Sequence, residues 1–423
     1  MPTRLFRRYA TSLVHASLNS VKETYRLLEE FIQTFGARPA TSEAERRARE
    51  YLARQLQAEG IRTVEQPFSS VPSLTLPWLT VSLLFALSGT LVWLTRSPGL
   101  VALAALGSLS ACLLYWGLVS GRWAVMRLFP QRASANLIGI VPAAERPLQK
   151  VVLMAHLDTQ RATLLWHPKL VRQFRQSFQL QTILLAFHGL GALGLLGGLI
   201  LQGVAFQPPM QMLARWAMLP GTLLSLWGVF VLLHRELVLD WVQGANDNGS
   251  GMAVVLSLLR ELAHQPLSHV EVWGVFTGCE EVGTPTGAFA FEREYGLQLR
   301  DALFLIIDHV GLGEPRYLLA EAMLPRARAH PDMVALVQQL AQAHPEWALQ
   351  PSAVPHGAYT DALPFLIKGY RAIAFWCEQQ PGIPPNWHWM SDVLENVNPA
   401  DLERMRRVIK AVLEHIDSQL SVS

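Results

Sequence analysis

The chain has 423 residues, and its 35 lysines and arginines against 33 aspartates and glutamates give a formal net charge of +2. This length accommodates one large domain or two ordinary ones, and the near-neutral charge gives no reason to expect a nucleic-acid partner. Cys112, Cys279 and Cys377 are widely spaced without a C-x-x-C pair, which argues against a disulfide framework and a thiolate metal site. Charged residues form 16% of the chain and avoid four long windows, as in membrane proteins.

The first seventy residues have the pattern of a soluble, globular segment. Residues 1–40 contain three arginines near the start but no sustained apolar stretch after them, so we do not expect a cleaved signal peptide. Apolar spacing predicts a helix over Val21–Phe35. Ser42 with Glu45 is the capping-box signature of a second helix, and alternation then predicts a strand over Ile61–Phe68.

The first two uncharged windows predict a transmembrane hairpin. Leu76–Thr95 and Leu100–Ser120 are each long enough to cross a hydrocarbon core of about 30 Å as a helix. We therefore assign residues 73–121 to transmembrane hairpin 1. Ala135–Val141 has the pattern of a strand that would follow Ile61–Phe68 directly, so the hairpin is predicted to be inserted between neighbouring strands.

The other two uncharged windows predict a second transmembrane hairpin over residues 176–234. Leu180–Leu201 has spanning length, and Trp216–Leu233 is the shortest of the four candidates. His188 lies inside the third window. A functional role for a histidine within a membrane is one interpretation, and a neutral histidine packed between helices is the one we favour.

Two hairpins return the chain to the same side, so residues 1–72, 122–175 and 235–423 can form one discontinuous domain. More basic residues lie near the domain ends of the spans than in the two connectors, which contain Arg96 and Arg215. Those on the domain side are Arg122, Arg127, Arg132, Lys169, Arg172, Arg175 and Arg235. The positive-inside rule then predicts a multi-pass protein of the cell membrane with a cytoplasmic catalytic domain, and reduced cysteines agree with that side.

Beyond the fourth window, apolar strands alternate with amphipathic helices. The predicted helices and strands are Met252–Leu262, Val270–Phe276, Leu303–Ile307, Met333–Ala343, Ala372–Trp376 and Pro399–Leu420. This alternation predicts an α/β fold with a mostly parallel or mixed central sheet covered by helices on both faces, in addition to about four transmembrane helices.

Side chains that bind metals follow several of these strands. The turn G-A-N-D-N-G-S-G places Asp247 immediately before a helix, at a corner where α/β proteins bind ligands. The other candidates, at strand ends or in loops, are His156, Asp158, Glu280, Glu281, Asp308 and His388. Nitrogen and oxygen ligands without cysteine suit zinc, cobalt or manganese. Since residues two apart in a strand face the same side, we expect Asp158 to hydrogen-bond the far nitrogen of His156.

The order of these motifs resembles that of the M28 family of di-zinc metallopeptidases. The order is H-x-D, G-A-x-D-N-x-S-G before a helix, a Glu-Glu pair after a strand, apolar-Asp-x-x-Gly, and a late histidine before Ser-Asp. The resemblance covers residues 135–160 and 242–423 well and the first seventy residues loosely, and it excludes the four apolar windows. It implies a peptide substrate, exopeptidase chemistry of the aminopeptidase type, and two zinc ions, with cobalt or manganese as alternatives.

Roles for individual residues follow from the resemblance. The implied ligands form two sets that share Asp247 as a bridge, His156 with Asp308 and Glu281 with His388. Glu280 would be the general base that takes a proton from water, and Asp158 would be catalytic through the orientation of His156.

Some features depart from the family pattern and leave alternatives open. Thr360-Asp361-Ala362 stands where members of the family often have Ser-Asp-His. Trp387 and Trp389 flank His388 and would either line the substrate pocket or anchor the domain at a membrane interface. The alternatives for function are a glutaminyl cyclase-like acyltransferase with one working zinc, and a catalytically silent receptor or scaffold module. The sequence leaves the oligomeric state open.

Overall fold

The computed structural model describes residues 23–121, 125–200, 208–321, 324–354 and 357–421. The N-terminal arginines, the start of the helix predicted from Val21, and Arg122 lie outside the described residues. The helices are α1 (23–35), α2 (Glu43–Ala58), α3 (Thr75–Leu94), α4 (Pro98–Ser120), α5 (Phe174–Ile200), α6 (Pro208–Val238), α7 (Gly251–His264), α8 (Thr286–Tyr295), α9 (Pro331–Ala343), α10 (Leu363–Ile367) and α11 (Pro399–Leu420). The strands are β1 (Arg62–Ser70), β2 (Arg132–Val141), β3 (Gln149–His156), β4 (Val270–Thr277), β5 (Leu303–Ile307), β6 (Glu314–Leu318), β7 (Ala320–Glu321), β8 (Ala327–Arg328), β9 (Gln350–Ser352) and β10 (Arg371–Glu378).

Eight strands form one mixed sheet in the order β1-β2-β4-β3-β5-β10-β6-β9. Its centre consists of β4, β3, β5 and β10, which are mutually parallel, and β2 and β6 flank them in antiparallel pairing. In β3, Val151 and Leu153 face one hydrophobic core while Val152 and Met154 face the other. Apolar residues at every position are needed because helices cover both faces. The prediction of a mixed α/β sheet with helices on both faces is confirmed.

The first apolar hairpin is inserted between two paired strands. β1 pairs with β2 in antiparallel register from Arg62 opposite Ile140 to Ser70 opposite Arg132. Helices α3 and α4 occupy the connection, yet they do not interrupt the pairing. The hairpin therefore leaves the domain from one end of the β1–β2 pair.

Helices α3, α4, α5 and α6 pack together as a four-helix bundle, and each is long and apolar enough to cross a membrane. Among the described residues, large apolar side chains cover the outside of the bundle, with Leu87 65% and Leu190 61% exposed. His188 lies inside, with Nε2 3.0 Å from Ser108 Oγ and Nδ1 3.0 Å from the Met218 carbonyl. The bundle interior is thus hydrogen-bonded and its exterior apolar, the reverse of a water-soluble helix bundle.

One helix of the bundle is much longer than its apolar window. Trp216–Leu233 is the shortest of the four windows, whereas α6 has 31 residues and is longer than the other three helices. The helix extends beyond the apolar window at both ends, through Gln211 on one side and Arg235 and Glu236 on the other. Hydropathy marks only the apolar part of a helix, so it cannot show where polar turns continue.

Candidate metal centre

The candidate ligands come together because parallel strands end at the same edge of the sheet. His156 is the last residue of β3, Glu281 lies in the loop after β4, and Asp308 follows β5 directly. Asp247 lies in the turn before α7, and His388 lies in the loop between β10 and α11. The carboxyl edge of a parallel sheet is where α/β proteins bind ligands, and the five side chains meet there.

The five side chains form two donor groups that share Asp247. His156 Nε2 lies 3.2 Å from Asp247 Oδ1 and 3.7 Å from Asp308 Oδ1. On the other side, His388 Nε2 lies 3.0 Å from both Asp247 Oδ2 and Glu281 Oε1. Within each group the donor atoms lie within 4.8 Å of one another, so each group is compact enough for one metal ion.

Several of these donor atoms lack a hydrogen-bond partner among the described residues. Both oxygens of Asp247 and Oε1 of Glu281 are buried and unsatisfied. Buried carboxylate oxygens without donors cost free energy unless a cation neutralises them. Nitrogen and oxygen donors at such positions suit zinc, so the residues fit two divalent cations that share one carboxylate.

Asp392 holds the backbone of the turn that contains Asp247. Its carboxylate accepts the N–H of Asn246 at 2.7 Å and that of Asp247 at 3.1 Å. Two backbone donors to one buried carboxylate fix the turn, because either bond alone would allow it to rotate. The sequence analysis used Asp392 only as part of a motif and assigned it no role.

The contact predicted between Asp158 and His156 is made by a different atom. The Asp158 carboxylate accepts the backbone N–H groups of Glu280 at 2.9 Å and Glu281 at 3.0 Å. It lies 3.7 Å from His156 Nδ1, whereas the Asp158 backbone carbonyl lies 3.0 Å from that nitrogen. The expectation of a side-chain bond to His156 is therefore wrong, because two backbone donors occupy the carboxylate. With Nδ1–H donated to the carbonyl, the neutral form of His156 would have its Nε2 lone pair available for a metal ion.

Residues 233–413 match the model of peptidase family M28. These residues belong to an M28 peptidase domain. Of the candidate ligands, Asp247, Glu281, Asp308 and His388 lie within the match, and His156 precedes it. The family suggested by the motif order is thereby confirmed. No curated protein sequence matches the chain.

Solved structures of three bacterial proteins share the fold. The chain superposes on a glutaminyl cyclase of Bacteroides thetaiotaomicron bound to N-acetylhistamine with a TM-score of 0.52 and 14% identity, covering 93% of this chain and 97% of that one. A leucine aminopeptidase precursor of the same organism gives 0.51 and 15%, covering 93% and 96%. A zinc-dependent exopeptidase of Parabacteroides distasonis gives 0.51 and 14%, covering 93% and 97%. At these identities the likeness is one of fold.

Burial and neighbouring charges shift the pKa values of the acidic side chains at this site in opposite directions. Burial, and then the charges of Glu281, Asp361 and Asp308, raise the pKa of Glu280 well above its ordinary value, although His156 opposes them. Burial and Asp247 raise the pKa of Glu281 to about 7. Burial also acts to raise the pKa of Asp308, but His309 and His156 outweigh it and lower the value to about 2. Carboxylates at one site whose pKa values diverge can divide the roles of ligand and proton carrier.

His309 is a residue of the M28 domain that the sequence analysis missed. Its Nδ1 lies 2.8 Å from Asp308 Oδ1 and its Nε2 lies 3.0 Å from Asp247 Oδ2. The signal was a histidine directly after a strand-end aspartate. The backbone is left-handed at Cys279, His309 and His388, with φ of 57°, 49° and 51°. Non-glycine residues in this region cost about 1 to 3 kcal/mol each and cluster at functional sites.

Trp387 and Trp389 have different surroundings. Trp387 is 6% exposed and packs against Trp166 with ring centroids 4.5 Å apart, so it belongs to the wall of the site and does not reach a membrane interface. Trp389 is half-buried against His167, with centroids 4.9 Å apart. At the departure from the family pattern, Asp361 is buried and its Oδ2 accepts the Thr277 hydroxyl at 2.5 Å.

Proposed function

We propose that the chain is a membrane-anchored, zinc-dependent exopeptidase that acts as an aminopeptidase. One observation carries the proposal: Asp247 directs one carboxylate oxygen toward His156 and the other toward His388. A carboxylate shared in this way between two compact donor groups is suited to bridge two metal ions. Loss of a ligand would be expected in a silent receptor or scaffold, and all five predicted ligands are present.

Zinc ions bound by these two groups would polarise the scissile carbonyl and lower the pKa of water. Glu280 lies next to Glu281 in the chain but belongs to neither of the two groups that share Asp247. We assign Glu280 as the carboxylate that accepts a proton from water and then donates it to the leaving amine. The two backbone N–H bonds to Asp158 hold the Glu280–Glu281 segment in place for this transfer.

Burial and charge support an aminopeptidase within the exopeptidases. The five candidate ligands are each at most 8% exposed, which suits entry of a chain end better than the middle of a long peptide. Carboxylates outnumber histidines around the site, and a surplus of negative charge favours the α-ammonium end of a peptide over its carboxylate end. The buried carboxylates are Asp158, Asp247, Glu280, Glu281, Asp308, Asp361 and Asp392.

The membrane anchor is supported by the apolar exterior of the four-helix bundle and by basic residues at its domain end. Arg235 is fully buried, so it does not contribute to the surface charge that the sequence analysis counted. The described basic residues that remain on that side are Arg127, Arg132, Lys169, Arg172 and Arg175. Their position supports a cytoplasmic domain on a multi-pass membrane protein, with hairpins at residues 73–121 and 176–234 and one domain formed by the rest.

A glutaminyl cyclase-like acyltransferase is the second candidate, favoured by the equal fold likeness to a glutaminyl cyclase. One working zinc would suffice for it. The complete first donor group of His156, Asp247 and Asp308 supports the two-ion peptidase over this alternative.

The experiment that separates these functions uses the full chain purified in detergent. Its zinc content should be close to two per chain. Amino-acyl chromogenic amides should be cleaved and their N-acetylated counterparts should not, because the acetyl group removes the ammonium. Cyclisation of N-terminal glutaminyl peptides, with release of ammonia from the side-chain amide and no cleavage of a peptide bond, would establish the acyltransferase instead. For topology, a Ser97→Cys variant in a connector should be labelled by an impermeant thiol reagent in intact cells, whereas Lys169→Cys should require permeabilisation.

A further inference from the structure

A glutamine joins the second donor group to the rest of the protein. Gln160 follows β3 by four residues and is 3% exposed. Its Nε2 donates to both the carbonyl and Oε2 of Glu281, at 3.0 Å each. Its Oε1 accepts the backbone N–H of Arg161 at 3.0 Å. Only one orientation of the amide satisfies all three contacts, because the nitrogen side must donate and the oxygen side must accept.

The remaining contact of Gln160 comes from the helix bundle. Arg235, near the end of α6, donates from one guanidinium nitrogen to Gln160 Oε1 at 2.5 Å. Its other terminal nitrogen donates to Thr75 Oγ1, at the start of α3, at 3.0 Å. One fully buried guanidinium thus touches both apolar hairpins and, through a single amide, a carboxylate of the candidate metal centre. The path from α6 to Glu281 is a continuous series of hydrogen bonds.

Further polar contacts hold the two hairpins together at this place. The Thr75 hydroxyl donates to Glu236 Oε1 at 2.5 Å, and Arg161 donates to Glu236 Oε2 at 3.0 Å. Arg235 itself makes no ion pair within 4.0 Å with a described carboxylate. A buried guanidinium without such a partner is costly. We therefore expect Arg235 to orient Gln160, to which it donates a hydrogen bond, rather than to stabilise the bundle.

We propose that Arg235 and Gln160 are positioning residues through which the helix bundle sets the orientation of Glu281 and hence the affinity of the donor group of Asp247, Glu281 and His388 for its metal ion. The inference rests on the proposed function in one respect, the assignment of Glu281 as a ligand. Groups that orient a metal ligand typically change metal affinity 10 to 100-fold when removed. Loss of Arg235 removes one of the two donors to Gln160 Oε1, so the amide that donates to Glu281 Oε2 is held less firmly.

The test measures zinc binding by competition with a chelator on the full chain in detergent, with zinc alone as the probe. Arg235→Gln and Gln160→Met should each weaken one of the two ions about 10 to 100-fold and leave the other unchanged. Arg235→Lys keeps the charge but cannot reach Thr75 and Gln160 together, so its effect should be smaller. Arg215→Gln is the matched control, since Arg215 is the other buried arginine of α6. Among the described residues it donates to the carbonyls of Val92 and Thr95, at the end of α3.

Three outcomes would overturn the inference. They are unchanged zinc affinity in Gln160→Met, unchanged affinity in both Arg235 variants, and an equal loss in the Arg215 control. The double variant Arg235→Gln with Gln160→Met should bind zinc no more weakly than Gln160→Met alone, because Arg235 acts through Gln160. Zinc binding is measured without substrate, so a wild-type protein that binds zinc and cleaves no peptide would refute the proposed function while leaving this inference open to the same test.

Discussion

The Asp158 carboxylate accepts the backbone N–H of Glu280 at 2.9 Å and thereby ties the end of β3 to the loop after β4. The two strands are parallel neighbours, with His156 opposite Thr277 in register. The Asp158 carboxylate therefore positions both the proposed general base Glu280 and the proposed metal ligand Glu281. Its own pKa is raised, because burial outweighs the bonds it accepts and the charge of His156.

Asp158→Asn should lower kcat at least tenfold with a smaller effect on KM. The amide has one accepting oxygen for two backbone donors, so one buried N–H is left unsatisfied at a cost of about 1 to 3 kcal/mol. Steady-state kinetics and the apparent melting temperature would be measured together. Asp240→Asn, at an exposed aspartate, is the control. A kcat equal to that of the wild type in Asp158→Asn would show that the hydrogen bond from the Glu280 N–H to Asp158 does not position Glu280.

Asp247→Ala should lose most of both zinc ions, whereas Glu281→Gln should weaken one. The difference arises because Asp247 belongs to both donor groups and Glu281 completes only the second. Zinc would be counted by elemental analysis after dialysis against a weak chelator, with Asp332→Asn as an exposed control. Retention of two ions by the Asp247 variant contradicts the ligand assignment.

Glu280→Gln should retain both zinc ions and lose roughly 10² to 10⁴-fold in kcat. Glutamine keeps the size and polarity of the side chain but cannot accept a proton from water. Glu281→Gln is the matched comparison, because the same replacement one residue later should reduce zinc affinity first. If the two phenotypes were exchanged, the roles of the two glutamates would be exchanged with them.

Glu321 should make stability depend on pH. It is fully buried and accepts the Thr360 N–H at 2.7 Å, yet burial, with the charges of Asp308 and Asp361, raises its pKa from 4.5 to about 8. A raised carboxyl pKa contributes stability that is present below pH 4.5 and is lost as the pH rises through about 8. The melting temperature of the wild-type protein should therefore fall as the assay pH is raised from about 5 to about 9.

Glu321→Gln should lose less over the same range, because glutamine does not titrate. Glu145→Gln, at an exposed glutamate, should follow the wild type. Melting curves of the three proteins at several pH values provide the measurement. Parallel curves for wild type and Glu321→Gln would show that Glu321 does not ionise in this range.

The regular part of the fold could be predicted from the sequence because buried parallel strands consist of apolar residues without interruption. Leu303–Ile307 is a strand with the predicted bounds, and α11 runs over the predicted Pro399–Leu420. The two strands at one side of the sheet, β6 and β9, were missed. β6 has Glu314, Pro315 and Arg316 among its five residues and therefore shows no apolar pattern. Its extended conformation depends on pairing with β10 and β9, which the sequence does not show.

The candidate ligands could be found because each follows a recognisable strand or turn, and their roles remain predictions. The residues that hold them could not be found in the same way. Arg38 donates to the carbonyls of Leu157 and Gly244, from a loop more than a hundred residues earlier in the chain. Long-range bonds between a side chain and a backbone carbonyl leave no periodic signal. His309 was overlooked for another reason, since a single histidine beside an aspartate is common.

The insertion of the apolar hairpins ahead of His388 also orders events during synthesis. His388 is the last of the candidate ligands, so it leaves the ribosome only after α3, α4, α5 and α6 have all been made. β1 likewise cannot pair with β2 until the first hairpin has been synthesised. The four apolar helices of a nascent chain are therefore complete before the candidate metal centre can assemble. A chain truncated before residue 388 would lack one of the two donor groups that share Asp247.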